Sequence, residues 1–291
     1  MDGIKGVIIM KLGIHAFAWC TKWSNEMLPL INKCAEFGVD FIELPLMDLE
    51  DFDASSISRR LEEQNIKAVT STVLSGDQDI SSPDKSIREN GINFLKECVK
   101  QTKAVNASSF SGVLYSEFAK KDQIAPTREN WIHVSESLKE VAVFADDFGI
   151  TVGIEPVNRY ETNMINTCEQ ALELKSMIEM PNIRVHLDTY HMNIEEKSFY
   201  EATKAAGEDL IHYHLCENDR GIPGTGTVDW DGIFRALKEL DYQGYAGLEN
   251  FVGLAESMNT WVWRQLAPSG DVLLKEGVKF IRSMQSKYGL S

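Results

Sequence analysis

Short runs rich in β-branched residues alternate with longer amphipathic segments along nearly the whole chain. The short runs predict strands at 11–17, 39–44, 66–72, 108–111, 150–155, 183–188, 211–215 and 245–249. A helix is predicted after each, at 26–37, 55–64, 84–105, 128–148, 167–178, 195–206, 230–240 and 270–288. In the segment 128–148, Trp131, Val134, Leu138, Val141, Ala142 and Ala145 recur at three- and four-residue spacing, with Glu136, Lys139 and Glu140 between them. One face is therefore made for a sheet and the other for water. The punctuation agrees. Ser82 and Pro83 read as the cap and first-turn proline of the third helix, and Gly38, Gly149 and Gly244 stand just past helix ends, where a left-handed residue is wanted.

Eight strand–helix units in regular alternation predict a parallel sheet. A single closed (β/α)8 barrel is the simplest architecture for eight. An open doubly wound sheet is the alternative that periodicity leaves standing, and the lack of a GxGxxG after any predicted strand weakens its dinucleotide-binding version. Residues 11–291 are expected to form the barrel as one domain. Residues 1–10 are expected to be a leader with no role in the fold, and Met10 could serve as an alternative start. Two loops are long, 75–83 after the third strand and 251–269 after the eighth, as walls or lids of a barrel site are.

Composition narrows the function classes. The formal net charge of −15 argues against a nucleic-acid partner, since no Lys/Arg cluster offsets it. No apolar run approaches the roughly 20 residues that cross a bilayer, and residues 1–10 hold too short an apolar core for a signal peptide. The five cysteines are odd in number and form no CxxC, which fits reduced thiols in a cytoplasmic protein. Cys34, Cys98 and Cys168 fall in predicted helices as packing residues, and a zinc–thiolate site is not expected.

Barrel chemistry sits at the C-terminal ends of the strands. The fifth strand ends GIEP at Glu155, the sixth VHLD at Asp188, and the eighth GLEN at Glu249; the seventh carries HYHLCE, with His212, His214 and Glu217. One such acidic residue reads as a helix cap or a surface charge. Glu155 and Glu249, however, follow apolar runs and precede turn residues, and four such groups on one rim would be a costly unpaired cluster without a cation. Three carboxylates and one imidazole suit Mn²⁺, Mg²⁺ or Co²⁺, with Zn²⁺ also possible. His212 and His214 share a strand face; His214, nearer the strand end, is the preferred ligand, with His212 one layer deeper as a hydrogen-bonded core residue.

The segments GIEPVNRYETN (153–163), HLDTYHMNIEE (186–196), HLCENDRGIPGTGTVDW (214–230) and LENF (248–251) resemble the motifs of the D-tagatose/D-psicose (D-allulose) 3-epimerases and the similar L-ribulose 3-epimerases, a family of xylose-isomerase-like barrels. KLGIHAFAW at the start and APTRENW (125–131) resemble it too, so the likeness covers nearly the whole chain from Lys11. The resemblance implies one divalent ion per subunit, Mn²⁺ first, on Glu155, Asp188, His214 and Glu249, with Glu155 and Glu249 also the catalytic pair. It implies that Glu161, His191 and Arg220 hold the O1–O3 end of a free ketose, and that Trp19 and Phe251 are apolar walls. The stretches 69–72 and 109–115 depart from the family pattern. A homodimer or homotetramer is implied as well. Met258, Trp261, Val262 and Trp263 are expected to lie partly in a subunit interface and partly beside the pocket.

The chemistry asks for these residue types. Inverting C3 of a ketose breaks a C–H bond next to a carbonyl, so a cation at the oxygens and two acid–base groups on opposite sides of C3 are needed. Charged groups for C4–C6 are sparse, so no phosphate is expected on the substrate. The rival on the same barrel is an aldose–ketose or inosose-type isomerase. A DNA-repair endonuclease of related fold would want several metals, a basic groove and more than the six histidines present. A non-catalytic sugar-binding barrel would have no use for two carboxylates.

Overall fold

The structure is a computed structural model that describes residues 9–120, 124–251 and 262–291. Eight parallel strands close in sequence order: β1 (Lys11–His15), β2 (Phe41–Pro45), β3 (Lys67–Leu74), β4 (Ser109–Glu117), β5 (Thr151–Ile154), β6 (Ile183–Asp188), β7 (Leu210–Leu215) and β8 (Tyr245–Leu248). Leu12 pairs with Ala246 and Ile14 with Ile42, so β1 is bonded on both sides and the open sheet is excluded. Nine helices are described: α1 (Pro29–Phe37), α2 (Ala54–Gln64), α3 (Lys85–Ala104), α4 (Arg128–Asp147), α5 (Cys168–Ile178), α6 (Thr189–Glu195), α7 (Phe199–Ala206), α8 (Trp230–Glu239) and α9 (Gly270–Tyr288). None is long and apolar enough to cross a membrane.

The strand faces turned to the helices bury Ile14, Ile42, Val152, Val185, Ala246 and Leu248, and the helices answer with Val134, Leu138, Val141, Leu237 and Ile281. Each such aliphatic side chain contributes about 1.5–3 kcal/mol when fully buried, and this seals the outer layer. All five cysteines are free thiols, and Cys34, Cys98 and Cys168 are buried.

Several boundaries differ from the sequence reading. Strand β4 runs on to Glu117 because Gly112, which interrupts the apolar pattern, is a backbone kink at φ 129 where a side chain would strike the Thr72 carbonyl. The expected helix at 195–206 is α7, which begins only at Phe199 under a Ser198 cap, and an unexpected helix, α6, capped by Asp188, precedes it. Helix α3 is capped by Asp84, not by Ser82 with Pro83 in its first turn. Gly38 and Gly149 do take the left-handed conformation, but after α8 that place belongs to Asp241, not Gly244. Met10, assigned to a leader, is buried; its N–H donates to the Leu290 carbonyl (3.0 Å), and its carbonyl accepts from Gln285 Nε2 (2.7 Å). The base of the barrel therefore includes it.

Inside the barrel the side chains form layers, as in a filled core. Low down, the Phe41 ring meets Tyr245 edge-on at 5.1 Å and His212 at 5.9 Å. Above them sit His15, Glu43 and His214, and His186 lies in register with His212, all buried. The acidic strand ends lie at the rim.

Candidate active site

Each acidic group at the rim is placed by a different strand. Glu155 directly follows β5, and its N–H donates to Gly112 O (3.1 Å) of β4 while its carbonyl accepts from the Tyr115 hydroxyl (2.9 Å). Asp188 ends β6 and accepts from Tyr190 N (2.6 Å). His214 lies in β7, and Glu249 directly follows β8. His214 Nδ1 stands 3.5 Å from Glu155 Oε1, 3.4 Å from Glu249 Oε2 and 3.9 Å from Asp188 Oδ2. One ligand atom from each of the four lies within 4.8 Å of the others, and all four residues are buried. His214 Nδ1 has no hydrogen-bond partner, and once deprotonated this buried nitrogen would offer a lone pair on the side that faces three carboxylates. These residues fit a hard or borderline divalent cation. Asp188 shows that the cap reading and the ligand reading are compatible, since one oxygen can cap α6 while the other faces the cluster.

Burial and neighbouring charges shift the two outer glutamates in opposite directions. Burial pushes Glu155 up to about 7. Burial also raises Glu249, but His214 and Arg220 outweigh it and hold the carboxyl well below the usual range. For His214, burial is outweighed by Glu43 and Glu249, so its pKa lies well above that of a free imidazole. Asp188 is raised by burial against the pull of Arg220.

Arg220, Glu161 and His191 gather beside this cluster. Arg220 Nη1 donates to Asp188 Oδ2 (2.6 Å) and Glu249 Oε2 (2.5 Å), and Nη2 lies 3.1 Å from His191 Nε2. Its guanidinium lies over the rings of Tyr190 (4.3 Å) and Phe251 (5.1 Å). The arginine backbone is left-handed at φ 70, which costs energy and is held by Asn250 Nδ2 donating to the Arg220 carbonyl (3.0 Å). Glu161, in the loop after β5, accepts from Asn158 Nδ2 (2.9 Å), and burial pushes its carboxyl up to about 8. His191, in α6, is held neutral by burial and by Arg220.

These groups share a cavity of about 390 Å³ with Phe17, Thr21, Lys22, Met47, Asp48, Val73, Val113, Phe118, Val157 and Phe251. Its outer part is mainly apolar, and Lys22 there is ion-paired with Asp48. Phe17 rather than Trp19 is among the lining residues. The turn at Ala16–Ala18 breaks the strand alternation and swings Trp19 outward, where its indole N–H donates to Asp271 Oδ1 (2.6 Å) on α9. Phe17 instead faces Phe251, with ring centroids 5.7 Å apart. Glu217 is also away from the cavity; its carboxylate accepts from Gly224 N, Val228 N and Trp230 Nε1 (2.8, 2.9 and 3.0 Å) and ties the loop after β7.

Glu43 went unnoticed in the sequence. It is fully buried in β2, and one oxygen, Oε2, lies 2.7 Å from His212 Nε2 and 2.9 Å from His214 Nε2. The signal was present: a lone charge in the apolar run FIELP, on the inward face with Phe41 and Pro45, needs a buried partner. His212 lies a layer below His214, as its place in the strand implied. Met258 and Trp261 lie outside the described residues. Val262 is buried, and Trp263 is 80% exposed.

Comparison with known proteins places this geometry. Residues 31–284 match the xylose isomerase-like TIM barrel family. The chain is 36% identical to a ketose 3-epimerase of Arthrobacter globiformis over 94% of its own length and 96% of the relative's. It is likewise 36% identical to an L-ribulose 3-epimerase of a Methylomonas species, over 94% and 97%. The crystal structure of a Methylomonas D-allulose 3-epimerase in complex with D-allulose superposes with a TM-score of 0.90 at 34% identity, covering 95% of this chain and 97% of that one. The chain therefore belongs to the xylose isomerase-like TIM barrel family and, within it, to the isomerase-class enzymes named ketose 3-epimerases.

Proposed function

We propose that the protein inverts C3 of free ketoses of the tagatose, allulose, fructose and ribulose class, using one divalent ion on Glu155, Asp188, His214 and Glu249. The observation that carries this reading is the contrast between Glu155 and Glu249. They come from the outermost of four consecutive strands, lie 3.5 and 3.4 Å from His214 Nδ1, and are driven to opposite protonation preferences. A proton must leave C3 on one side and return on the other, which needs one base and one acid.

The chemistry a bound cation supplies is polarisation of the substrate carbonyl, and the hard donor set favours Mn²⁺, with Co²⁺ or Mg²⁺ next. In one direction the ionised Glu249 takes the C3 proton, and the C–H electron pair spreads onto the C2 oxygen as an enediolate. Glu155 then delivers a proton to the opposite face of C3; in reverse the two exchange roles. Arg220 and the protonated Glu161 hold sugar hydroxyls, with His191 beside them, and fix C3 between the glutamates. Phe17 and Phe251 cover the carbon-bound hydrogens. With Lys22 engaged by Asp48, the outer cavity suits an uncharged sugar end.

A turnover screen of free ketoses and aldoses with added Mn²⁺ tests the assignment. C3 epimers should appear and vanish with a chelator; full activity in metal-free protein contradicts it. A homodimer or homotetramer that covers Trp263, 80% exposed in the single chain, belongs to the same reading, and a monomer in sedimentation with Trp263 solvent-exposed contradicts it.

A further inference from the structure

We propose that Glu43 is a positioning residue that aims His214 at the cation, with His212 as its brace. The inference rests on the reading of the four-residue cluster as a metal site. A neutral imidazole has one N–H and one lone pair, and the group that one nitrogen meets decides which is which. Glu43 Oε2 is 2.9 Å from His214 Nε2, and an ionised carboxylate only accepts. The proton therefore stays on Nε2, and the lone pair is left on Nδ1, the nitrogen that faces Glu155, Asp188 and Glu249.

The same oxygen is 2.7 Å from His212 Nε2, so two N–H groups converge on it. His212 is in turn packed against Phe41 and Tyr245, with ring centroids 5.9 and 6.4 Å away. The other oxygen, Oε1, is turned toward His15 Nε2 at 3.8 Å, and that nitrogen lies 3.1 Å from Ser71 Oγ. Glu43 thus reaches across the barrel interior from β2 to β7, strands that are not neighbours in the sheet. Besides His214, its carboxylate is held by the Oε2 bond to His212, while Oε1 faces His15 without a hydrogen-bond partner. Such carboxylate–histidine–metal arrangements set ring orientation, and losing the outer partner typically weakens metal affinity about 10–100-fold.

The test is calorimetric titration of Mn²⁺ into metal-free protein, wild type against Glu43→Gln, with the melting temperature of each metal-free protein measured alongside. The amide keeps the shape but offers a donor as well as an acceptor, so it no longer enforces the Nε2–H form. The account predicts a dissociation constant at least tenfold weaker for the variant. A purely structural Glu43 would lower the melting temperature and leave the constant within twofold of wild type, and that result overturns the inference. Wild-type protein that binds no divalent ion overturns the metal reading and this inference with it. Should Glu43→Gln not fold, ¹⁵N-histidine NMR of wild-type protein loaded with diamagnetic Mg²⁺ decides the matter. The His214 ring should carry its proton on Nε2, and a proton on Nδ1 overturns the proposal.

Discussion

Arg220 places one guanidinium nitrogen between Glu249, at 2.5 Å, and Asp188, at 2.6 Å, so the arginine, which lines the cavity, grips two of the four clustered groups. Its second terminal nitrogen faces His191, and its plane rests on Tyr190 and Phe251. A lysine is a point charge and cannot make this planar, forked set of contacts. Arg220→Lys should therefore lower kcat/KM on the order of 10²-fold through misplacement of the sugar. Steady-state kinetics on a metal-saturated sample checks this, and a value within twofold of wild type contradicts the role.

Metal binding should release protons. The pKa of His214 lies well above that of a free imidazole, yet its Nδ1 must be deprotonated to serve as a ligand. The shift is upward, so the unbound site keeps that proton until the pH rises through the raised value. Affinity for Mn²⁺ should thus climb between pH 6 and 8, on the order of tenfold per pH unit for the proton lost. Calorimetry at pH 7 in buffers of different ionisation enthalpy should show net proton release. An affinity independent of pH over that range would count against the ligand set.

The exchange of Trp19 for Phe17 in the pocket wall has a kinetic consequence. Trp19→Phe removes the indole N–H that bonds Asp271 and should cost about 1 kcal/mol of stability with KM unchanged. Phe17→Ala should leave the fold intact but remove about 1–2 kcal/mol of apolar contact with the sugar, roughly a tenfold rise in KM. Thermal melts and saturation kinetics on the two variants separate these effects; a raised KM for Trp19→Phe alone would restore Trp19 to the wall.

Much of this architecture is legible in the sequence because a parallel barrel repeats one physical pattern eight times. The strand ends GIEP, VHLD and GLEN stand out because a charge that closes an apolar run is costly to bury alone. What was missed depends on departures from regular periodicity or on partners distant in the chain. Gly112 resembles a strand terminator until its kink is seen to continue β4. Trp19 was misplaced because a turn of three residues resets the alternation that would have pointed it inward. Glu43 reads as an isolated charge because the histidines that neutralise it lie in β7, across the barrel. Asp188 caps α6 with one oxygen and turns the other to the cluster, two placements that linear reading treats as alternatives.

The central claim is that the proton removed and returned is the one on C3. If Glu155 and Glu249 flank that carbon, turnover in D2O with Mn²⁺ should place deuterium at C3 of both recovered ketose and its epimer, and C1 should stay unlabelled. An aldose–ketose isomerase working by proton transfer would label C1 or C2 instead, and one working by hydride shift would take up little solvent deuterium. Proton NMR of the recovered sugars reads this directly. Deuterium at C3 with none at C1 is the predicted result; deuterium at C1 with none at C3 would contradict the account.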